Sequence, residues 1–231
     1  MNSQPKKNER TLILRIKPQK SAFFLWLFSL ILALASFIGQ SLKYWTSFDN
    51  AFGLVPLFNI GSRLSVQTIY SVLLLLSLML LLRIISIEKC KTNGKFCPQW
   101  KALPFFALYL ALHRGTGVHS LIIDPLVDHL AVLFSQLHVT RFYVTLVLCA
   151  LIFLFFYTRL FLSLPKRTKL LLIITAVLFL LGVRKLGFAL NSLEEVNYLI
   201  VETISKWLEM SGTILLLYAF LDYLETDYSK V

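Results

Sequence analysis

The sequence predicts an all-α fold, a polytopic bundle of six transmembrane helices with a short interfacial helix. Three observations lead to this prediction. Of the 231 residues, 57% are hydrophobic, against about 45–50% in soluble domains. The apolar residues fall into runs of about 20 residues, the length that crosses a bilayer. Lys and Arg are abundant in every second gap between these runs and sparse in the others, as the positive-inside bias produces.

The distribution of Lys and Arg also orients the spans. The gaps rich in positive charge are the N-terminal tail, the gap between spans two and three, and the gap between spans four and five. Cytoplasmic loops collect Lys and Arg, so these gaps and both termini are assigned to the cytoplasm. A bacterial plasma membrane is the expected location, with a thylakoid membrane as the alternative. The residues concerned are Lys6, Lys7, Arg10, Arg15, Lys17, Lys20, Lys89, Lys91, Lys95, Lys101, Lys166, Arg167 and Lys169.

The domain organisation follows from the spans and their flanks. A basic cytoplasmic tail is predicted over residues 1–20, a six-helix transmembrane domain over 21–224 and a cytoplasmic C-terminal tail over 225–231. Trp and Tyr fall mostly near the predicted span ends, as in an aromatic belt. The predicted spans are Ser21–Leu42, Val66–Ile87, Ala102–Ile123, Phe142–Leu164, Lys169–Leu190 and Asn197–Leu224.

The first span and two outer segments need separate interpretation. The basic tail, the apolar run and Ala33-Leu34-Ala35 also fit a cleavable signal peptide. The apolar run continues to Ile38, which favours an uncleaved anchor. The segment Lys43–Ser65 is too apolar for a solvated loop, so we expect it to lie in the interface or to dip into the bundle. Apolar residues at helical spacing between Leu126 and Leu137 predict the short amphipathic interfacial helix.

Three cysteines are present. Cys90 and Cys97 fall in one loop assigned to the cytoplasm, where no lasting disulfide is expected. Their C-x6-C spacing has no second pair of ligands, which argues against a zinc site. Cys149 lies in the middle of a span and is interpreted as a small buried apolar residue.

Ionisable residues inside the spans are the candidate functional residues. A charge at mid-bilayer costs about 2.5–3.5 kcal/mol, so each such residue needs a partner, water or a role. Counting helix rise places Arg114 level with Glu209, and Arg184 or Lys185 level with Glu202. Spacings of four and three place Glu202, Lys206 and Glu209 on one helix face. The candidate ligand-binding residues are Arg114, His119, Arg184, Lys185, Glu202, Lys206 and Glu209.

Several functions remain open for this charged face. Its four basic side chains outnumber Glu202 and Glu209, so an anionic small molecule or lipid head group is the expected ligand. The structural alternative is a closed ion-pair network that fixes helix register. At the level of the whole protein, the alternatives are transport, an accessory or assembly subunit of a larger membrane complex, and an intramembrane enzyme using His119 with Asp124 or Glu209. No catalytic residue, metal or cofactor is assigned. Nucleic acid is not expected, because most positive charges lie beside spans.

Parts of the chain resemble a family of bacterial multi-pass membrane proteins without an assigned activity. The matching stretches are Leu57-Phe58-Asn59, Ser65–Ser71, Leu208-Glu209-Met210-Ser211-Gly212 and Tyr218-Ala219. In that family the third span has an Asp-Glu pair followed by His-Glu. The matching positions here are His113-Arg114 and His119-Ser120, so only His119 is retained. The resemblance implies His119 and Glu209 as shared functional positions.

Overall fold

A computed structural model of the chain describes residues 17–46, 65–91, 96–116, 151, 155–183 and 195–228. The described part is all-helical, as predicted, and contains six helices. Three of them are long and apolar enough to cross a membrane, over Pro18–Ser41, Val66–Lys91 and Ile200–Thr226. The helices are α1 (Pro18–Thr46), α2 (Val66–Lys91), α3 (Cys97–Thr116), α4 (155–163), α5 (Lys166–Val183) and α6 (Glu195–Tyr228).

The helix bounds agree with three predicted spans over most of their length. Helix α2 begins at Val66, as predicted, and α1 and α6 contain the first and last spans. The other three spans are described only in part, since residues 117–123, most of 142–154 and 184–190 lie outside the described residues. The interfacial helix predicted over 126–137 also lies outside them, as does most of Lys43–Ser65. Six membrane crossings therefore stay a prediction.

Helix α6 is the centre of the described bundle, since it contacts α1, α2 and α5 and meets α3 through aromatic rings. Its buried side chains include Met210, which is 1% exposed, and Ile214, which is 3% exposed. Helices α2 and α3 pack along each other through Leu78, Ile85 and other aliphatic side chains of one continuous core. Ser65 begins α2 as an N-cap: the Thr68 backbone N–H donates to its Oγ at 3.2 Å.

Helix α1 contacts the bundle near the amino end of α2. The Tyr70 hydroxyl donates to the Leu25 carbonyl at 2.7 Å, and the Gln67 amide donates to the Leu32 carbonyl at 3.1 Å. Leu25 lies about 10 Å along α1, whereas Tyr70 lies about 30 Å from the Lys91 end of α2. The first turn of α1 therefore lies well away from the turn that joins α2 to α3, although the sequence predicts that both lie at the cytoplasmic face.

A disulfide joins Cys90 to Cys97, with 5.0 Å between the two Cα atoms, where the sequence predicted no lasting bond. The helices on both sides are longer than predicted: α2 continues to Lys91 and α3 begins at Cys97. The intervening loop is therefore short enough to bring the two sulfurs together. The prediction was based on the compartment alone and took no account of loop length.

Next to the disulfide, side chains of the α2–α3 turn contact the carboxyl half of α6. The Trp100 ring stacks on Tyr223 with 5.6 Å between centroids and 15° between planes. The Lys89 ammonium lies 5.2 Å from the centroid of the same tyrosine ring, within the range of cation–π attraction. Trp100 is 3% exposed. We name these three residues, Lys89, Trp100 and Tyr223, the tyrosine clamp.

Helix α5 is fixed to the same half of α6 by Arg167. Its guanidinium lies 3.0 Å from the Asp222 carboxylate and donates a hydrogen bond to the Tyr218 hydroxyl at 2.8 Å. This hydrogen bond and the charge of Asp222 raise the pKa of Arg167 above its usual value. Arg167 is therefore cationic at every physiological pH.

Replacing Arg167 with alanine is expected to lower the free energy of unfolding by about 1 kcal/mol. The side chain of Arg167 is 62% exposed, so water screens much of its attraction to Asp222. Thermal unfolding of the purified protein in detergent measures the change. Arg159→Ala, at an exposed position of α4, is the matched control and should have a smaller effect. A loss above about 2 kcal/mol would show that solvent screens this pair less than its exposure indicates.

Candidate functional site

The predicted pairing of Arg114 with Glu209 is confirmed. Arg114 lies in the last turn of α3, and its Nη2 is 2.5 Å from Oε2 of Glu209 on α6. Two antiparallel helices with the same rise per residue bring side chains of equal depth to one level. The match between counted depth and observed contact therefore follows from regular helix geometry.

Lys206 approaches the same carboxylate from within α6. Its Nζ lies 3.7 Å from Glu209 Oε2, and the two residues are three positions apart on the helix. A single carboxylate oxygen therefore lies within ion-pair distance of two cations. Arg114, Lys206 and Glu209 together have two positive charges and one negative charge, so one positive charge is in excess. We name these three residues the glutamate triad.

The glutamate triad is partly buried, and each of its side chains keeps some exposure to solvent. The side chains of Arg114, Lys206 and Glu209 are 27%, 22% and 16% exposed. Lys206 is both more distant from the carboxylate than Arg114 and accessible. An anion that reaches this part of the surface would therefore meet both cations of the triad.

Gly182 of α5 places a helix backbone against Glu209. A Cβ at this position would lie 3.0 Å from Glu209 Cγ and 3.0 Å from the Ser205 carbonyl oxygen. Only a residue without a side chain permits this approach between α5 and α6. The backbone of α5 thus forms one wall beside the carboxylate and restricts where the Glu209 side chain can move.

Aromatic groups lie close to the triad in sequence. Tyr109 stacks on His113, with 6.3 Å between ring centroids and 14° between planes. His113 immediately precedes Arg114 on α3. On α6, Trp207 follows Lys206 and contacts Trp26 of α1, with ring centroids 5.5 Å apart. These contacts stabilise the helical segments from which Arg114 and Lys206 project.

Sequence reasoning did not identify Gly182 or Tyr109 as parts of this region. An isolated glycine inside an apolar helix is a signal for close packing of helices, and Gly182 fits that signal. No comparable signal exists for Tyr109, because its contact with His113 depends on side-chain rotamers.

The remaining candidate residues are not brought together in the described part of the chain. Glu202 lies on α6 before Lys206, with a partly exposed side chain. Arg184, Lys185 and His119 lie outside the described residues, so the pairing of Glu202 with Arg184 or Lys185 stays a prediction. Within the described ranges, no three His, Cys, Asp or Glu side chains are grouped so as to hold a metal ion.

No protein-family model matches this chain, and neither the curated proteins nor the solved structures include a significant match.

Proposed function

We propose that the chain is a non-catalytic, polytopic integral membrane protein that binds an anionic group through the glutamate triad. It crosses a bacterial plasma membrane six times, with both termini in the cytoplasm. Three long apolar helices support the membrane assignment. The alternation of gaps that are rich and poor in Lys and Arg supports the number and direction of the spans. The ligand group is a carboxylate or a phosphate, from a small molecule or from a lipid head group.

The observation that supports anion binding is the sharing of Glu209 Oε2 between Arg114 and Lys206. Within the glutamate triad one carboxylate faces two cations, so the group has a net positive charge that attracts anions. A charged side chain in a membrane interior costs about 2.5–3.5 kcal/mol. An anion that binds beside Lys206 lowers this cost, and burial strengthens the attraction relative to that in water.

Lys206 is the residue through which binding can be tested without breaking the pair between helices. Lys206→Gln removes the excess charge and leaves Arg114 in contact with Glu209. A charge-assisted hydrogen bond contributes about 1.5–3 kcal/mol. We therefore expect anion affinity to fall about tenfold or more in this variant, while the protein still folds.

Native mass spectrometry of the purified protein measures the binding. Phosphatidylglycerol is the anionic lipid probe, phosphatidylcholine the zwitterionic comparison and inorganic phosphate the soluble probe. Wild-type protein should retain phosphatidylglycerol over phosphatidylcholine. Displacement of the lipid by inorganic phosphate would identify a soluble anion as an equivalent ligand. Lys101→Gln, which removes one exposed charge from α3, is the matched control and should bind as the wild type does.

Equal retention of anions by wild type and Lys206→Gln would contradict the proposal and would favour a closed ion-pair network. A protein partner that copurifies at fixed stoichiometry, with no dependence on Lys206, would favour an accessory subunit of a larger membrane complex.

A further inference from the structure

We propose that Cys90 and Cys97 form a reversible dithiol–disulfide site, whose oxidation state controls how firmly the α2–α3 turn holds α6. The disulfide is formed in the structure. The site is separate from the glutamate triad and needs no ligand there. The proposal rests on the proposed orientation of the chain, because that orientation places the two cysteines in the cytoplasm.

The positive charge around the disulfide indicates the cytoplasm, whereas a lasting disulfide is typical of an oxidising compartment outside it. Lys89, Lys91, Lys95 and Lys101 lie in or beside the same turn, which is typical of a cytoplasmic loop. Lasting disulfides are rare in the cytoplasm, where glutathione and thioredoxin keep thiols reduced, and those that form there are usually transient and catalytic or redox-sensing. Cys90 and Cys97 are close enough to bond, and the cytoplasm is normally reducing. We therefore expect the pair to alternate between the disulfide and two free thiols.

Local structure favours exchange at this site. Cys90 and Cys97 are both partly exposed, so an external thiol can reach the bond. Cys97 is the first residue of α3, where the positive end of the helix dipole stabilises a thiolate. Lys89 and Lys91 flank Cys90 and add positive charge next to the second sulfur.

A dithiol of the thioredoxin class is the reductant in the exchange reaction. A thiolate of the reductant attacks one sulfur of the Cys90–Cys97 bond, which breaks, and a mixed disulfide forms. The second thiol of the reductant then resolves this intermediate. Two electrons and two protons pass to the pair, leaving two thiols on this chain and a disulfide on the reductant. Oxidation by a disulfide-class oxidant reverses each step.

The bond is linked mechanically to α6 through the tyrosine clamp. Lys89 directly precedes Cys90, and Trp100 follows Cys97 by one helical turn. Both contact the Tyr223 ring. The closed disulfide holds the ends of α2 and α3 at a fixed separation. Lys89 and Trp100 therefore both stay in contact with the Tyr223 ring. Reduction frees the two helix ends to move apart, which weakens the contact with α6.

The test counts free thiols in cells that express the full chain as Cys149→Ser, so that only the pair remains. Cells are quenched with acid and labelled with a maleimide coupled to polyethylene glycol, which retards the protein on a gel once for each thiol. We expect two adducts in untreated cells, none after treatment with diamide, and two again after diamide is removed. A pair that stays oxidised in untreated cells, or stays reduced in diamide, overturns the proposal.

A fluorescent protein fused after Val231 tests the orientation separately, because it matures in the cytoplasm and not when exported unfolded. Fluorescence with a pair that never oxidises refutes the redox site and leaves the orientation intact. Loss of fluorescence with a permanently oxidised pair refutes the orientation.

A second measurement tests whether the closed pair stabilises the protein, which the link to α6 requires. The apparent unfolding temperature of purified Cys149→Ser should fall by about 5 °C on reduction with dithiothreitol. Cys90→Ser in the same background should show no response to the reductant. Equal unfolding temperatures for the oxidised and reduced protein would refute the link to α6.

Discussion

Glu209→Gln is expected to lower the free energy of unfolding by about 3 kcal/mol, the largest loss among single substitutions in the glutamate triad. The change removes the only carboxylate of the triad, so Arg114 loses its ion pair and Lys206 loses its contact with Glu209. Removing one partner of a fully buried ion pair costs about 3–5 kcal/mol. Glu209 is 16% exposed, so partial hydration places the expected loss at the lower end of that range.

The order of effects within the triad is itself a prediction. Arg114→Gln should cost less than Glu209→Gln, because Lys206 stays 3.7 Å from the carboxylate and compensates part of its charge. Lys206→Gln should cost least, because the Arg114–Glu209 contact is shorter and survives. Equilibrium unfolding in mixed micelles with increasing dodecyl sulfate measures all three variants.

Glu225→Gln is the matched control for this series. It makes the same chemical change on the same helix at an exposed position, so we expect almost no change in stability. If Glu209→Gln were no more harmful than Glu225→Gln, the triad would contribute nothing to folding.

The second large effect is expected for Gly182→Ala. The new methyl group would lie 3.0 Å from Glu209 Cγ and 3.0 Å from the Ser205 carbonyl oxygen. The carbonyl belongs to the backbone of α6 and cannot rotate away, so α5 and α6 must separate or Glu209 must move. Overpacking of this kind costs about 1–3 kcal/mol, and we expect a loss of about 2 kcal/mol.

Gly115→Ala provides the matched comparison, since it is also a helical glycine-to-alanine change. Its Cβ would meet only Val72 Cγ2, at 3.6 Å, which is ordinary van der Waals contact. Alanine loses less backbone conformational freedom than glycine when the helix folds. This variant should therefore be neutral, or more stable by about 0.5–1 kcal/mol. Thermal unfolding in detergent compares the two. Equal behaviour of the two variants would show that α5 can shift away from α6 at no measurable cost.

Features that depend on regular helix geometry could be predicted from the sequence. The start of α2 at Val66 follows from the change to an apolar run, and the Arg114–Glu209 contact follows from equal depth in two helices. Both predictions use only hydrophobicity and a constant rise per residue.

Features that depend on which helix faces meet could not be predicted in this way. The contact of Trp100 with Tyr223 requires the rotation of α3 about its axis relative to α6. The close approach at Gly182 requires the identity of the neighbouring helix. The Cys90–Cys97 bond depends on how far α2 and α3 extend, and helix ends are the least certain part of a sequence-based prediction.

The length of the two central spans has a consequence for the surrounding lipid. Helix α2 has 26 residues, and the candidate span within α6 has 27, so each is about 40 Å long. The hydrocarbon layer of a typical bilayer is about 30 Å thick. Since α2 and α6 share one core, they are expected to tilt together to absorb part of the excess length. Lipids with longer acyl chains reduce the required tilt, so this protein should prefer the thicker regions of its membrane.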